Sequence, residues 1–252
     1  MQIIWITGGS SGIGFATAKK FLKNNWIVII SSSNQEKLHK AKEKIQLSQN
    51  VENLHTLKCD ISDKKEVEKT ILFIEKNIGE INIALLNAAA YSPNKNQVFD
   101  IQNYELLIDV NIKGTLYCIN SLKDYMQNRG NTIAIVSSPI GYRGWPTSGA
   151  YGMTKSAQLN LSESLFFDFK KININIRVIN PGFIDTEATR LNSFKMPFLK
   201  SADFAANKIY KGLIFKKSFE IYFPFFIVYF VKILRILPYR LYFYIWKKIG
   251  NF

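Results

Sequence analysis

The sequence predicts an α/β fold: a doubly wound parallel sheet in a three-layer α/β/α arrangement, forming one domain that ends in an apolar, basic tail. Three observations carry this. Runs rich in Ile and Val recur at residues 3–6, 27–30, 51–57, 83–86, 133–136 and 174–179, and runs apolar on both faces suit strands covered by helices on each side. Helical patterns at 12–24, 35–47, 64–78, 101–127, 150–171 and 202–215 separate them, and strands joined by long crossovers pair in parallel. A glycine-rich turn follows the first run, at the carboxyl end of a strand, where such sheets seat their ligands.

The whole chain fits this reading. At 252 residues it is long for one domain, yet single α/β domains of roughly 250 residues are ordinary and bury a sizeable core. A content of 47% hydrophobic and 21% charged residues excludes a disordered or fibrous chain. The formal charge of +14 admits nucleic acid, an anionic membrane surface, or a general use of lysine at solvated positions. Lys19, Lys20, Lys37, Lys40, Lys42 and Lys44 are dispersed along expected helices, as solvated faces are, and no basic stripe interleaved with aromatics appears, so no nucleic-acid partner is expected. Cys59 and Cys118 lack C-x-x-C spacing and read as reduced packing residues. The first strand starts at Gln2, which leaves no room ahead of it for a signal peptide, so a cytoplasmic protein is expected.

The first strand runs into Thr7-Gly8-Gly9-Ser10-Ser11-Gly12-Ile13-Gly14, and a helix begins there. Glycines let the backbone bend tightly and approach a pyrophosphate, and the helix N-terminus supplies unpaired N–H groups and a positive dipole. The spacing is T-G-x-x-x-G-I-G rather than the common G-x-G-x-x-G. After the second strand comes Ser31-Ser32-Ser33-Asn34-Gln35. An acidic residue there would bind a ribose 2′-hydroxyl, whereas basic or hydroxyl residues tolerate a 2′-phosphate. The absence of a carboxylate favours NADP(H), and Ser33 with Asn34 could serve either NADP or NAD.

Further along stand Cys59-Asp60-Ile61, Leu86-Asn87-Ala88-Ala89, Asn111, Ser137-Ser138, Tyr151-Gly152-Met153-Thr154-Lys155 and Asn180-Pro181-Gly182-Phe183-Ile184-Asp185-Thr186. With the glycine loop, this series over residues 2–190 resembles the short-chain dehydrogenase/reductase family, of its classical type, whose catalytic domain is a Rossmann fold. The resemblance implies a cofactor site formed by Gly8, Ser10, Ser11, Gly12, Ile13, Gly14, Ser33 and Asn34. In it Asp60 and Ile61 lie beside the adenine, Asn87 and Ala88 beside the adenosine ribose, and Pro181, Gly182, Ile184 and Thr186 towards the nicotinamide. Asp60 could instead cap the next helix near Ser62 and Asp63. The family's Asn-Asn-Ala-Gly is Leu86-Asn87-Ala88-Ala89 here, which removes a sheet-bracing side chain and adds a methyl near the cofactor.

Tyr151 and Lys155 are four apart in a helical segment, so both leave one face. Bringing a phenol's pKa from near 10 down towards about 7 requires about 4 kcal/mol of preferential stabilisation of the phenolate, for which a nearby ammonium and a positive nicotinamide are suited. The resemblance implies that Tyr151 is the general acid or base and that Ser138 binds the substrate oxygen. It further implies that Lys155 lowers the Tyr151 pKa and holds the nicotinamide ribose, while Asn111 fixes a water connecting Lys155 to solvent. Taken singly, Ser138 could cap a turn before Pro139 and Asn111 could brace a helix. No metal is expected, since His39 and His55, the two histidines, lie in segments remote from these residues. A non-catalytic dinucleotide sensor or a membrane-surface scaffold on the same fold is the alternative.

From Ser218 the composition changes, and no acidic residue follows Glu220, so the chain divides into a catalytic domain at 1–217 and a tail at 218–252. The apolar run at 221–231 is broken by Lys232, Arg235, Pro238 and Arg240, short of the ~20 residues a membrane span needs. Aromatics beside cations suit an element lying in the headgroup plane, on the cytoplasmic face of a membrane, and a lipid-like substrate would follow. Alternatively the tail covers the cleft or forms an oligomer contact. Substrate specificity is expected in residues 187–199, and the family resemblance implies a homodimer or homotetramer built through the helices at 101–127 and 150–171.

Overall fold

The computed structural model describes residues 1–92, 99–192, 194 and 196–250. Among them, seven strands form one sheet: β1 (Ile3–Thr7), β2 (Ile27–Ser32), β3 (Leu54–Lys58), β4 (Ile83–Leu86), β5 (Thr132–Val136), β6 (Asn175–Pro181) and β7 (Glu220–Phe223), in the order β3-β2-β1-β4-β5-β6-β7. Every neighbouring pair is parallel. The strand period of two sends Ile4 and Ile6 to one face, against α1 (Gly12–Leu22), α2 (Gln35–Gln46) and α7 (Ala202–Phe215). It sends Ile3 and Trp5 to the other, against α3 (Lys64–Asn77), α5 (Gly114–Met126) and α6 (Gly149–Lys171). Both faces are thus buried, which is why the strands read as continuous apolar runs. The connections reverse direction between β1 and β4, and the crevice at that switch point is where the site lies.

The helix expected at 101–127 is interrupted. α4 (Ile101–Leu107) passes into a π turn (Ile108–Lys113) before α5 begins, with Gly114 N–H donating to the Asp109 carbonyl five residues back. Ile61 packs where a Gly114 Cβ would stand, 2.8 Å from its side chain. The wider turn leaves the Asn111 carbonyl to accept side-chain donors, a pattern common near functional sites. β3 starts at Leu54, later than expected, because Val51 turns to accept the Leu54 N–H.

The sheet does not stop at residue 217. The seventh strand lies inside the compositionally distinct tail, where Ile221 and Phe223 join the core. Its four residues merge with the apolar run that follows, so no boundary marked it. Arg177 ties this stretch down, donating to the Ser218 carbonyl at 3.0 Å and the Leu213 carbonyl at 3.3 Å.

α8 (Phe225–Ile236) and α9 (Tyr239–Gly250) follow. α8 buries Ile227, Val228, Val231 and Leu234, a helical stripe in which each side chain stabilises the docked position by about 1.5–3 kcal/mol. Arg143 closes its far end: Nη1 donates to the carbonyls of Leu234 and Leu237 at 2.6 Å and of Arg235 at 3.1 Å. A cation thereby satisfies orphan carbonyls at the negative helix terminus. The same guanidinium sits 4.0 Å from the Tyr242 ring centroid. Beneath α8, Glu220 accepts from Asn180 Nδ2 at 2.7 Å, from the Tyr142 hydroxyl and from Lys232. Of the segments discussed from sequence, Ser193, Lys195, Asn251 and Phe252 lie outside the described residues.

Candidate active site

A cleft of about 730 Å³ opens at the carboxyl ends of the strands. Gly8, Ser10, Ser11, Gly12 and Ile13 line one end of it. Gly14 does not face the cleft; it makes the loop possible. A Cβ there would stand 2.4 Å from the Gly8 carbonyl oxygen and 2.6 Å from Asn87 Nδ2. Gly8 has φ +63 and would meet Ala88 at 2.7 Å, so the left-handed turn and the approach of β4 both require glycine. α1 starts with no side-chain cap and no acidic residue in its first turn, leaving its N-terminal donors and dipole directed at the loop, as an anion seat requires.

At the end of β2, Ser33 and Asn34 line the cleft with Ser32 and Lys37. Asn34 also caps α2, its Oδ1 accepting from Lys37 N–H at 2.9 Å. Ser31 faces inward and takes a bond from Trp5 Nε1 at 3.1 Å. Lys37, read from sequence as part of a solvated face, reaches the rim, with Nζ 3.8 Å from Glu187. Its place one turn past the end of β2 was the available signal.

Asp60 and Ile61 line the cleft. The Asp60 carboxylate accepts from Ser62 N–H and Oγ at 2.9 and 2.7 Å, while the cap of α3 is Asp63. Beside them, burial pushes the Cys59 thiol up to about 11, so it stays protonated. Asn87 and Ala88 also line the cleft. The Asn87 amide donates to the carbonyls of Thr7 and Gly8 at 3.0 and 3.1 Å, stapling the glycine loop to β4. This side chain supplies bracing in a motif whose preceding residue is Leu86.

At the other end, Ser138, Tyr151 and Lys155 converge on the cleft. Ser138 Oγ also accepts from Ile140 N–H at 3.4 Å, capping the short 3-10 turn Pro139–Tyr142. Burial, with Tyr91 as a lesser cause, pushes the Tyr151 phenol above its ordinary range. The lowering expected from sequence is therefore not a property of the bare chain. Lys155 Nζ lies 5.5 Å from the Tyr151 ring centroid and donates to the Val136 carbonyl and Gln158 Oε1, both at 2.9 Å. Burial lowers Lys155 to about 7.

Asn111 stands behind the cleft. Its side chain clamps Ala90, accepting from the N–H at 2.7 Å and donating to the carbonyl at 3.0 Å, and bonds Thr154 at 3.1 Å. The amide of Gln158 joins Asn111 to Lys155, donating to the Asn111 carbonyl at 2.8 Å and accepting from Lys155 Nζ at 2.9 Å. A polar residue three positions after Lys155 on the same helix face was the signal for it.

Pro181, Gly182, Ile184 and Thr186 line the cleft, as do Glu187, Ala188, Thr189, Asn192 and Phe194 of the expected specificity region. This end adds Tyr91, edge-on to Tyr151 at 4.8 Å, and Trp145, which were not foreseen, and Ile227 and Val231 from α8, where the tail covers part of the cleft as the alternative reading of it expected. Among the described residues there is no group of three metal-ligating side chains.

This strand order, the stapled glycine loop and the Tyr151–Lys155 face are joined by a family match: residues 2–195 fit the short chain dehydrogenase model. The chain belongs to the short-chain dehydrogenase/reductase family of oxidoreductases. It is 32% identical over 194 residues to carbonyl reductase family member 4 of Xenopus laevis, covering 75% of this chain and 78% of the relative. A short-chain dehydrogenase/reductase from Burkholderia phymatum, solved in complex with NAD, aligns with a TM-score of 0.80 at 17% identity over 92% of each chain. An alcohol dehydrogenase from the archaeon Thermococcus sibiricus, complexed with 5-hydroxy-NADP, aligns at 0.78 and 21% identity over 88% of this chain and 96% of that one. The two structural likenesses speak for the fold.

Proposed function

We propose that this protein interconverts a ketone or aldehyde and the corresponding alcohol, with NADP(H) as preferred cofactor. The observation that carries the reading is the convergence of Ser138, Tyr151 and Lys155 on the same cleft that the glycine loop closes at its far end. The nicotinamide cofactor, when bound, supplies or takes up the hydride at the carbonyl carbon. In the reducing direction Tyr151 Oη gives its proton to the carbonyl oxygen as that oxygen gains charge, and in reverse it takes the proton back. Ser138 Oγ donates to the same oxygen and fixes the carbonyl. Lys155 brings the positive charge that stabilises the Tyr151 phenolate, and Asn111 holds the loop at Ala90 and the turn behind Lys155.

The preference for NADP(H) rests on the cofactor end, where Ser33 and Asn34 bring no carboxylate and Lys37 brings a cation. NADPH and NADH titrated by fluorescence against wild type, Ser33→Asp and Tyr151→Phe give the test. Tighter NADPH binding, weakened by Ser33→Asp and retained by Tyr151→Phe while carbonyl reduction is lost, is the expected result. Binding of neither cofactor would overturn the oxidoreductase reading and leave the membrane-surface scaffold, whereas binding without turnover on any carbonyl would favour the dinucleotide sensor.

Two features support a lipid-like substrate handled at a membrane surface. Outside the cleft, α8 and α9 expose Phe226, Phe230, Ile233, Ile236 and Phe243 among Arg235, Arg240, Lys247 and Lys248, with no acidic residue past Glu220. At about 1.5 Å per residue each helix is about 18 Å long, and no helix among the described residues is long and apolar enough to cross a membrane, so the element would lie in the headgroup plane. The opposite face of α8 lines the substrate end. Vesicles with and without anionic lipid, floated with wild type and Phe226→Glu/Phe230→Glu, check the surface; equal recovery of both proteins with anionic vesicles would dismiss it. A homodimer or homotetramer through α5 and α6 agrees with the exposed Leu116 and Phe167, and sedimentation equilibrium distinguishes these assemblies from a monomer.

A further inference from the structure

One buried amide stands behind the cleft without lining it. Gln158, one turn after Lys155 in α6, is only 3% exposed, an uncommon setting for a group with two donor protons and an acceptor oxygen to satisfy. All are used. Oε1 accepts from Lys155 Nζ at 2.9 Å, and Nε2 donates to the Asn111 carbonyl at 2.8 Å and Thr115 Oγ1 at 3.0 Å.

The orientation of the amide follows from its partners. Thr115 Oγ1 gives its own proton to the Asn111 carbonyl at 2.7 Å, so it can only accept from Gln158, and a carbonyl only accepts. The amide group facing them must be the NH₂, and the oxygen is therefore turned to Lys155, which offers only donors. With a second ammonium proton on the Val136 carbonyl, one N–H of Lys155 is left for the cleft.

We propose, resting on the oxidoreductase reading above, that Gln158 is a positioning residue for the reaction: it holds the Lys155 ammonium against the π turn at Asn111, leaving one donor directed at the cleft that Tyr151 lines. Burial is the cause that lowers Lys155, so its charge near neutral pH depends on dipoles that accept its protons, and Gln158 supplies one of the two. The titratable group facing Lys155 is Tyr151 on the same helix, with Tyr91 packed beyond it.

The test reads the ammonium directly in the full-length, cofactor-free protein. Carbon-labelled lysine is titrated by NMR in wild type, Gln158→Met and Gln158→Glu, with Lys155→Arg identifying the signal. Loss of a hydrogen bond to a buried charge should lower the Lys155 titration by about one pH unit in Gln158→Met. A carboxylate in Gln158→Glu should raise it. A residue that only fills space would not move the titration in opposite directions. An unmoved Lys155 in both variants overturns the proposal; should Gln158→Met fail to fold, a null or downward shift in Gln158→Glu does so alone. NADPH titration of the same samples keeps the two readings apart, since failure to bind NADPH with the opposed shifts intact defeats the oxidoreductase reading and leaves the hold on Lys155 standing.

Discussion

Replacing Gly14 by Ala adds one methyl group, and the structure says where it goes. Its Cβ would sit 2.4 Å from the Gly8 carbonyl oxygen and 2.6 Å from Asn87 Nδ2, whereas ordinary contact begins at 3.4 Å. The Gly8 peptide must retreat by about 1 Å, against an interior that yields little. That displacement strains the bond Asn87 makes to Gly8 and moves the turn that lines the cofactor end. Overpacking of this kind costs about 1–3 kcal/mol, partly offset by the better helix propensity of Ala. If the cost falls on the loop geometry that the cofactor requires, NADPH binding weakens about 10- to 100-fold. Gly144→Ala is the control, because a Cβ there meets nothing within 4 Å. Fluorescence titration of NADPH with a parallel thermal melt decides the matter. Wild-type affinity and melting temperature in Gly14→Ala would refute the claim that this turn seats the cofactor.

Three further outcomes are expected. Lys37→Glu should weaken NADPH about tenfold while leaving NADH nearly unchanged, through the charge it brings to a 2′-phosphate; equal effects on both cofactors in calorimetry would place Lys37 outside that subsite. Lys155 is lowered from 10.5 to about 7 in the folded chain, so between those values the unfolded chain binds more protons and wild type gains stability with rising pH. Urea unfolding of cofactor-free wild type and Lys155→Met should diverge in that sense between pH 7 and 10, and a constant difference would contradict it. Arg143→Met removes the cation that closes α8, and hydrogen exchange should quicken by about tenfold or more across residues 225–250 while β1 to β5 keep their protection; unchanged exchange there would mean the stripe of Ile227, Val228, Val231 and Leu234 suffices.

Much of the molecule was legible because its signals are local or periodic. Six strands and the glycine turn announce themselves in Ile and Val runs and in Gly8 to Gly14, and Tyr151 and Lys155 share a face by spacing alone. What escaped depends on contacts distant in sequence. β7 has four residues and gains its identity only by pairing with β6. Gln158 and Lys37 look like ordinary helix polar residues until the fold brings the Asn111 carbonyl to one and the cleft rim to the other. The π turn adds a backbone distortion beside Gly114, where Ile61 leaves no room for a Cβ, a contact that joins positions far apart in the chain. The raised Tyr151 phenol escaped for another reason: spacing places a lysine nearby but does not tell how deeply the fold buries the phenol.

One of the last helices reaches back to a cleft built mostly by earlier parts of the chain. Among the described residues, nearly all of its lining precedes residue 195, while Ile227 and Val231 belong to a helix that follows the seventh strand. Ile227 packs against Gly182 just after β6, so side-chain bulk at position 227 alters the cleft wall and this turn together. A helix late in the chain can therefore reshape a wall of the cleft, and a library confined to α8 is the economical place to look for altered preference.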